Sequence, residues 1–132
     1  MKNNGGFSLI GLIIFMLVVG IALPPLLMIG YNAVENSIKE EIMLNSTSLA
    51  GEKMEDIKTL SFTNINSQSN QAFSGAFNRY NYSVSVNYVS SPNYDISVDP
   101  TQTNYKRVQV NISNNILPEI TASLITIITS LQ

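Results

Sequence analysis

The chain has 132 residues, a net charge of −2 from 7 Lys+Arg against 9 Asp+Glu, and no His, Cys or Trp. That length suits one small domain. The missing residue types exclude Cys/His zinc sites, disulfide frameworks, thiol nucleophiles and Ser-His-Asp triads, and the mild acidity argues against a generic nucleic-acid binder, which carries a basic excess.

Hydrophobicity is concentrated at one end. In Phe7–Tyr31, FSLIGLIIFMLVVGIALPPLLMIGY, 19 of 25 residues are apolar, and no charge occurs between Lys2 and Glu35. The rest is rich in Asn and Ser, at 16 each over the whole chain, so its solubility rests on amides and hydroxyls. As a helix rising 1.5 Å per residue, Phe7–Tyr31 spans roughly 37 Å, enough to cross a bilayer core of ~30 Å. Lys2 and the amino terminus precede it, whereas Glu35, Lys39, Glu40 and Glu41 follow, which places the N-terminus in the cytoplasm by the positive-inside bias.

Three readings of this segment are open. It is a permanent single-pass anchor, or a secretory signal peptide cut after Ala22, with Gly20 and Ala22 as the small residues at the site. In the third, the cut falls before the apolar run, at Gly5-Gly6, and the run stays in the mature chain. That last pattern, K-N-N-G-G|F-S-L-I-G-L-I-I, resembles the class III leader of type IV pilins and type II secretion pseudopilins. A short leader with Lys2, Gly6 before the cut, Phe7 as the new N-terminus and some 20 apolar residues beyond carry the resemblance.

The resemblance implies cleavage between Gly6 and Phe7 by prepilin peptidase and N-methylation of Phe7. It also implies packing of the segment into a filament core through Phe7, Leu9, Ile10, Gly11 and Ile14. The family usually has Glu at the position of Gly11, where it pairs with the first amine of a neighbouring subunit. Gly11 cannot, which points to a minor subunit; equally, Gly11 is a small residue that lets membrane helices approach. Pro24 and Pro25 leave the carbonyls of Gly20 and Ile21 without helical donors, so a helix break at Gly20, Pro24 and Pro25 is expected, as a kink or a locally extended stretch.

From Tyr31 to Phe62 the periodicity becomes amphipathic. Tyr31, Val34, Ile38, Ile42, Leu49 and Leu60 fall in one sector, with Ile57 beside it. Glu35 and Lys39 form an i,i+4 pair, and Glu52, Glu55 and Asp56 read as a solvated face ahead of a metal or partner site. Thr63–Asn78 has no periodicity and reads as a long loop pinned by Phe73 and Phe77. Tyr80–Ser90 alternates as a strand, with Tyr80, Tyr82, Val84, Val86 and Tyr88 on one face. A short strand is expected over Tyr94–Val98 after a turn at Ser91-Pro92-Asn93, and another over Tyr105–Ser113, with Val108, Val110 and Ile112 inward and Arg107, Gln109 and Asn111 outward. Ile120–Leu131 fits a helical stripe through Ile120, Leu124, Ile127, Ile128 and Leu131, but its β-branched content favours a strand. A strand is chosen, since the others need a partner.

Few residues in this polar half suggest chemistry. Asp95 and Asp99 are two carboxylates, too few for Ca²⁺, and read as turn residues. Lys106-Arg107, the only basic doublet, reads as a solvated strand edge or a contact for DNA or an acidic surface. Tyr80, Tyr82 and Tyr88 read as core ahead of a stacking platform.

The expected fold is therefore α+β: a long N-terminal helix, membrane half plus amphipathic half, packed on a small antiparallel β-sheet, as the pilin resemblance also implies. The expected organisation is a leader at 1–6, a transmembrane or filament-core helix at 7–31, an amphipathic stalk helix at 32–62 and a polar β-rich head at 63–132. No enzyme activity, cofactor or metal is expected. The resemblance implies a minor pilin or pseudopilin of a type IV pilus or type II secretion pseudopilus. Its partners would be other pilin or pseudopilin subunits, prepilin peptidase and the inner-membrane assembly platform, with no nucleic acid. It would sit in the inner membrane before assembly and in the periplasm or at the cell surface afterwards. The competing class is a single-pass membrane-anchored or secreted binding domain with no filament role.

Overall fold

The computed structural model describes residues 8–100 and 103–130. The chain divides into two compact units, Met1–Ile38 and Lys39–Gln132, and one helix, α1 (Leu9–Lys58), contributes to both. Five strands follow: β1 (Gln68–Ala72), β2 (Tyr80–Ser90), β3 (Asn93–Ser97), β4 (Tyr105–Asn114) and β5 (Thr121–Thr129). They form one antiparallel sheet in the order β1-β2-β4-β5, with β3 also paired to β2. The architecture is α+β, a long N-terminal helix on a small antiparallel sheet.

In the first unit α1 runs through Pro24 and Pro25 without leaving the helical state. The break expected at Gly20, Pro24 and Pro25 does not interrupt the secondary structure. Two adjacent prolines remove two N–H donors, but helix formation is cooperative, and the apolar turns on either side hold the backbone through the gap. Neither cut site, Gly6 nor Phe7, lies within the described residues.

In the second unit α1 buries Ile42, Ser46, Leu49, Ala50, Met54 and Ile57. This i, i+4, i+7 spacing makes one apolar stripe. It overlaps the sequence-based stripe only in part. Tyr31, Val34 and Ile38 are exposed in the first unit, and Leu60 lies past the helix end and is exposed too, where helical periodicity no longer applies. The stripe meets Tyr80, Val84, Val108, Val110, Ile112 and Ala122 from the sheet and Ile65 from the connecting loop.

Ser46 is the misfit in that core. It is fully buried and its Oγ has no hydrogen-bond partner. A buried hydroxyl without a partner carries its desolvation cost uncompensated, and alanine is also the better helix former. Ser46→Ala is therefore expected to stabilise the second unit by about 1 kcal/mol, measured by urea or thermal unfolding of the full-length chain in detergent.

The strands confirm the alternation of β2 and β4 and the strand reading of the last run. The expected loop at 63–78 is the exception: it holds β1 and 3-10 turns at Phe62–Asn64 and Gly75–Phe77. β1 reads QSNQA and carries no apolar alternation, because its side chains are mostly exposed and it is held by backbone pairing to β2. Ser67 extends that edge. The Val86 N–H donates to Ser67 Oγ at 2.9 Å, and the same hydroxyl lies 3.4 Å from Val86 O.

Candidate functional site

The first candidate site is the apolar half of α1. Residues from Leu9 to Met28 present a nearly continuous exposed apolar surface, including Leu9, Ile10 and Ile14 of the expected packing set. By length and composition this is the one helix among the described residues that can cross a membrane, and none of its apolar window is buried. Isolated apolar residues on a surface need no account, but a patch of this extent marks a membrane or interaction surface. Gly11 has nothing within 4 Å of where a Cβ would stand. The methylation site Phe7 is outside the described residues, so the structure brings together Leu9, Ile10, Gly11 and Ile14 along one helix and says nothing of Phe7.

The second candidate region is the sheet, where the charged residues have structural work. Lys106 is only 1% exposed, and its Nζ donates to Phe62 O at 2.7 Å and Ile65 O at 2.8 Å. The same ammonium stands 4.7 Å from the Phe62 ring centroid and 5.0 Å from that of Tyr88. Carbonyl dipoles and ring faces thus surround the charge. The basic doublet is not a solvated edge: Lys106 points into the core, and Arg107 points the other way, 3.8 Å from Asp95. Sequence reasoning missed this although the signal was available. Lys106 is in phase with Val108, Val110 and Ile112, so the period-2 rule puts it on the core face.

Asn114 closes the other end of that row. It is buried, and its Oδ1 accepts the N–H groups of Ile116 at 2.8 Å and Leu117 at 3.2 Å. The core face of β4 is therefore apolar in the middle and polar at both ends, each polar residue fastening a loop.

The remaining sequence candidates resolve into ordinary roles. Tyr80, Tyr82 and Tyr88 each pack edge-on or tilted against a phenylalanine, Phe77, Phe73 and Phe62 respectively, so each ring has an aromatic partner within the fold. Glu55 pairs with Lys58 at 2.7 Å on the exposed side of α1, worth no more than a few tenths of a kcal/mol there. A shallow groove of about 260 Å³ is lined by Glu52, Lys53, Asp56, Phe73 and Tyr82, and Lys53 fills its aromatic wall, with Nζ 4.3 Å from the Tyr82 ring. Among the described residues no three His, Cys, Asp or Glu side chains gather where a metal would need them.

Comparison with protein-family models, with curated proteins and with solved structures returned no match.

Proposed function

We propose that this chain is a minor pilin or pseudopilin, a non-enzymatic structural subunit of a type IV pilus or type II secretion pseudopilus. The observation that carries the reading is the K-N-N-G-G|F-S-L-I leader set directly against an apolar helical segment with no buried residues. The same α1 continues as the stripe that covers an antiparallel sheet, an arrangement in keeping with such a subunit.

In this reading prepilin peptidase cuts between Gly6 and Phe7, and the Phe7 amine is methylated. The apolar segment holds the subunit in the inner membrane with its N-terminus cytoplasmic. The assembly platform then draws it out, and Leu9, Ile10, Gly11 and Ile14 exchange lipid for the helices of other subunits. Transfer from one apolar surrounding to another carries little hydrophobic free energy, so packing must decide the order of subunits. Gly11 offers close approach in place of a charge pair, which suits a subunit present in few copies.

One observation favours the competing class. Gly11 stands where the resemblance calls for Glu, and a membrane anchor with no filament role has no use for a carboxylate at that depth.

The mature N-terminus separates the readings. Intact mass and N-terminal peptide sequencing from native membranes are expected to give a chain starting at Phe7, with or without one added methyl group. A chain starting at Leu23 would make this a secreted domain, and one starting at Met1 or Lys2 a simple anchor; either result overturns the proposal.

A further inference from the structure

The two edges of the sheet are built differently. On the side of β2 away from β4, the edge is broken up: β1 and β3 are five residues each, both pairings carry a register shift, and β3 contains Asp95. Short strands, bulges and charges are the devices that keep edges from pairing with other chains. The β5 edge has none of them. It runs for nine residues as TASLITIIT, with no charge and no proline, and pairs with β4 in unbroken register. Among the described residues no strand lies on its outer side.

The register fixes which backbone groups are on offer. Ser130 N donates to Asn104 O at 2.9 Å, next to the pair Tyr105↔Thr129. Alternate residues of an antiparallel strand direct their N–H and C=O to the same side. The even-numbered residues of β5 therefore bond to β4, and Thr121, Ser123, Ile125, Ile127 and Thr129 direct theirs outward. The side chains along this edge are also incompletely covered. Leu124, on the core face, is 40% exposed, and Ile125, on the back face, is 48% exposed.

We infer that β5 pairs antiparallel with β5 of a second copy of this chain, across a two-fold axis at Ile125. A two-fold contact places every residue against a residue of the same strand, so a charge anywhere on β5 would be set against an uncharged neighbour, or against itself at the axis. β5 is an uncharged strand in a chain that carries charge on both β3 and β4. Centred on Ile125, the register is also sterically self-complementary: Ala122 faces Ile128, Ser123 faces Ile127, Leu124 faces Thr126 and Thr121 faces Thr129. Small meets large in the pairs at 122/128, 123/127 and 124/126, and the two Ile125 side chains pack against each other at the axis. All five outward-pointing residues gain ladder partners, and the two sheets become one continuous sheet. Pairing of a single strand is a small interface, but two chains held in one membrane meet at high effective concentration. The pairing needs only the edge of β5 and does not rest on the filament reading.

The natural sequence has no cysteine, so single-cysteine variants of the full-length chain test the geometry directly. The chain is reconstituted in vesicles at low protein density and treated with a short bismaleimide. Ile125→Cys is expected to give cross-linked dimer about tenfold or more faster than Asn87→Cys, an exposed site on β2, through its raised effective concentration. Ser123→Cys mixed with Ile127→Cys is expected to cross-link faster than either alone, and adding Ile125→Lys to both is expected to abolish it. Equal rates at 125 and 87 would overturn the inference. So would self-pairing of Ser123→Cys or persistence of the cross-link with lysine at 125.

Discussion

Lys106→Ala is expected to cost the second unit about 2–4 kcal/mol, from a buried carbonyl left without its donor, ~1–3 kcal/mol, and the packing lost with the lysine stem. The substitution removes the two hydrogen bonds that tie Phe62 O and Ile65 O to β4, and it withdraws the cation from between Phe62 and Tyr88. It also opens a cavity next to Ile65, itself 1% exposed. A domain of this size is stable by only about 5–15 kcal/mol, so the effect is a large share of the total. Lys106→Met separates the parts. Methionine keeps most of the stem's packing and loses the ammonium, so it is expected to recover part of the loss, while Ile65 O loses its lysine donor and Phe62 O keeps only the long bond from Ile65 N–H at 3.4 Å. Urea unfolding of the full-length chain in detergent measures both variants, and amide exchange over residues 62–66 should rise more than in β4. A loss below about 1 kcal/mol for Lys106→Ala, the level of an ordinary surface change, would mean the lysine is not a structural tie.

That lysine also illustrates what the sequence does and does not carry. β2, β4 and β5 were legible because their apolar residues alternate or their β-branched content is high, and the second unit's half of α1 was legible from Ile42, Leu49 and Ile57. β1 was not, because QSNQA buries no side chain fully; its strand state is imposed by the ladder of β2 and not by its own composition. Ile65 was missed for a related reason. It is one apolar residue in a polar run, and only the closing of the loop over Lys106 makes it core. Pro24 and Pro25 do not produce a locally extended stretch, since the cooperativity of a 50-residue helix outweighs the loss of two donors. Lys106 was a failure of attention to phase, where a charged residue was assigned to solvent by type although its position in the alternation was inward.

The apolar segment was legible as a membrane-length run from composition alone, and among the described residues none of that window is buried. Gly11 stayed ambiguous at both levels, because an open site on a bare helix suits close packing and plain lipid contact alike. The β5 edge was invisible in the sequence. A run of β-branched residues says strand, but only the strand order says that one side of it is unpaired.

Placing arginine at both Val18 and Ile21 is expected to remove the chain from the membrane fraction while leaving the second unit intact. Each arginine at the centre of a spanning helix costs about 2.5–3.5 kcal/mol on insertion scales, so the pair costs roughly 5–7 kcal/mol. Both residues are exposed in the first unit, and the two cations would sit three residues apart on one helix face, where neither can reach a carboxylate: the nearest acidic residue in the sequence is Glu35. Alkaline extraction of membranes measures the partition, and the wild-type chain should remain with the bilayer while the variant is released. Thermal unfolding of the variant should match wild type within about 0.5 kcal/mol, as for surface substitutions generally, because neither position contributes to the core around Met54 and Val110. A variant that stays in the bilayer would mean that other parts of the chain hold it there. A variant that leaves the bilayer and also loses stability would mean that the apolar segment is covered by protein and not by lipid. Release with stability intact is the outcome that assigns the segment to the membrane, and it leaves the mature N-terminus to decide between an anchor and a filament subunit.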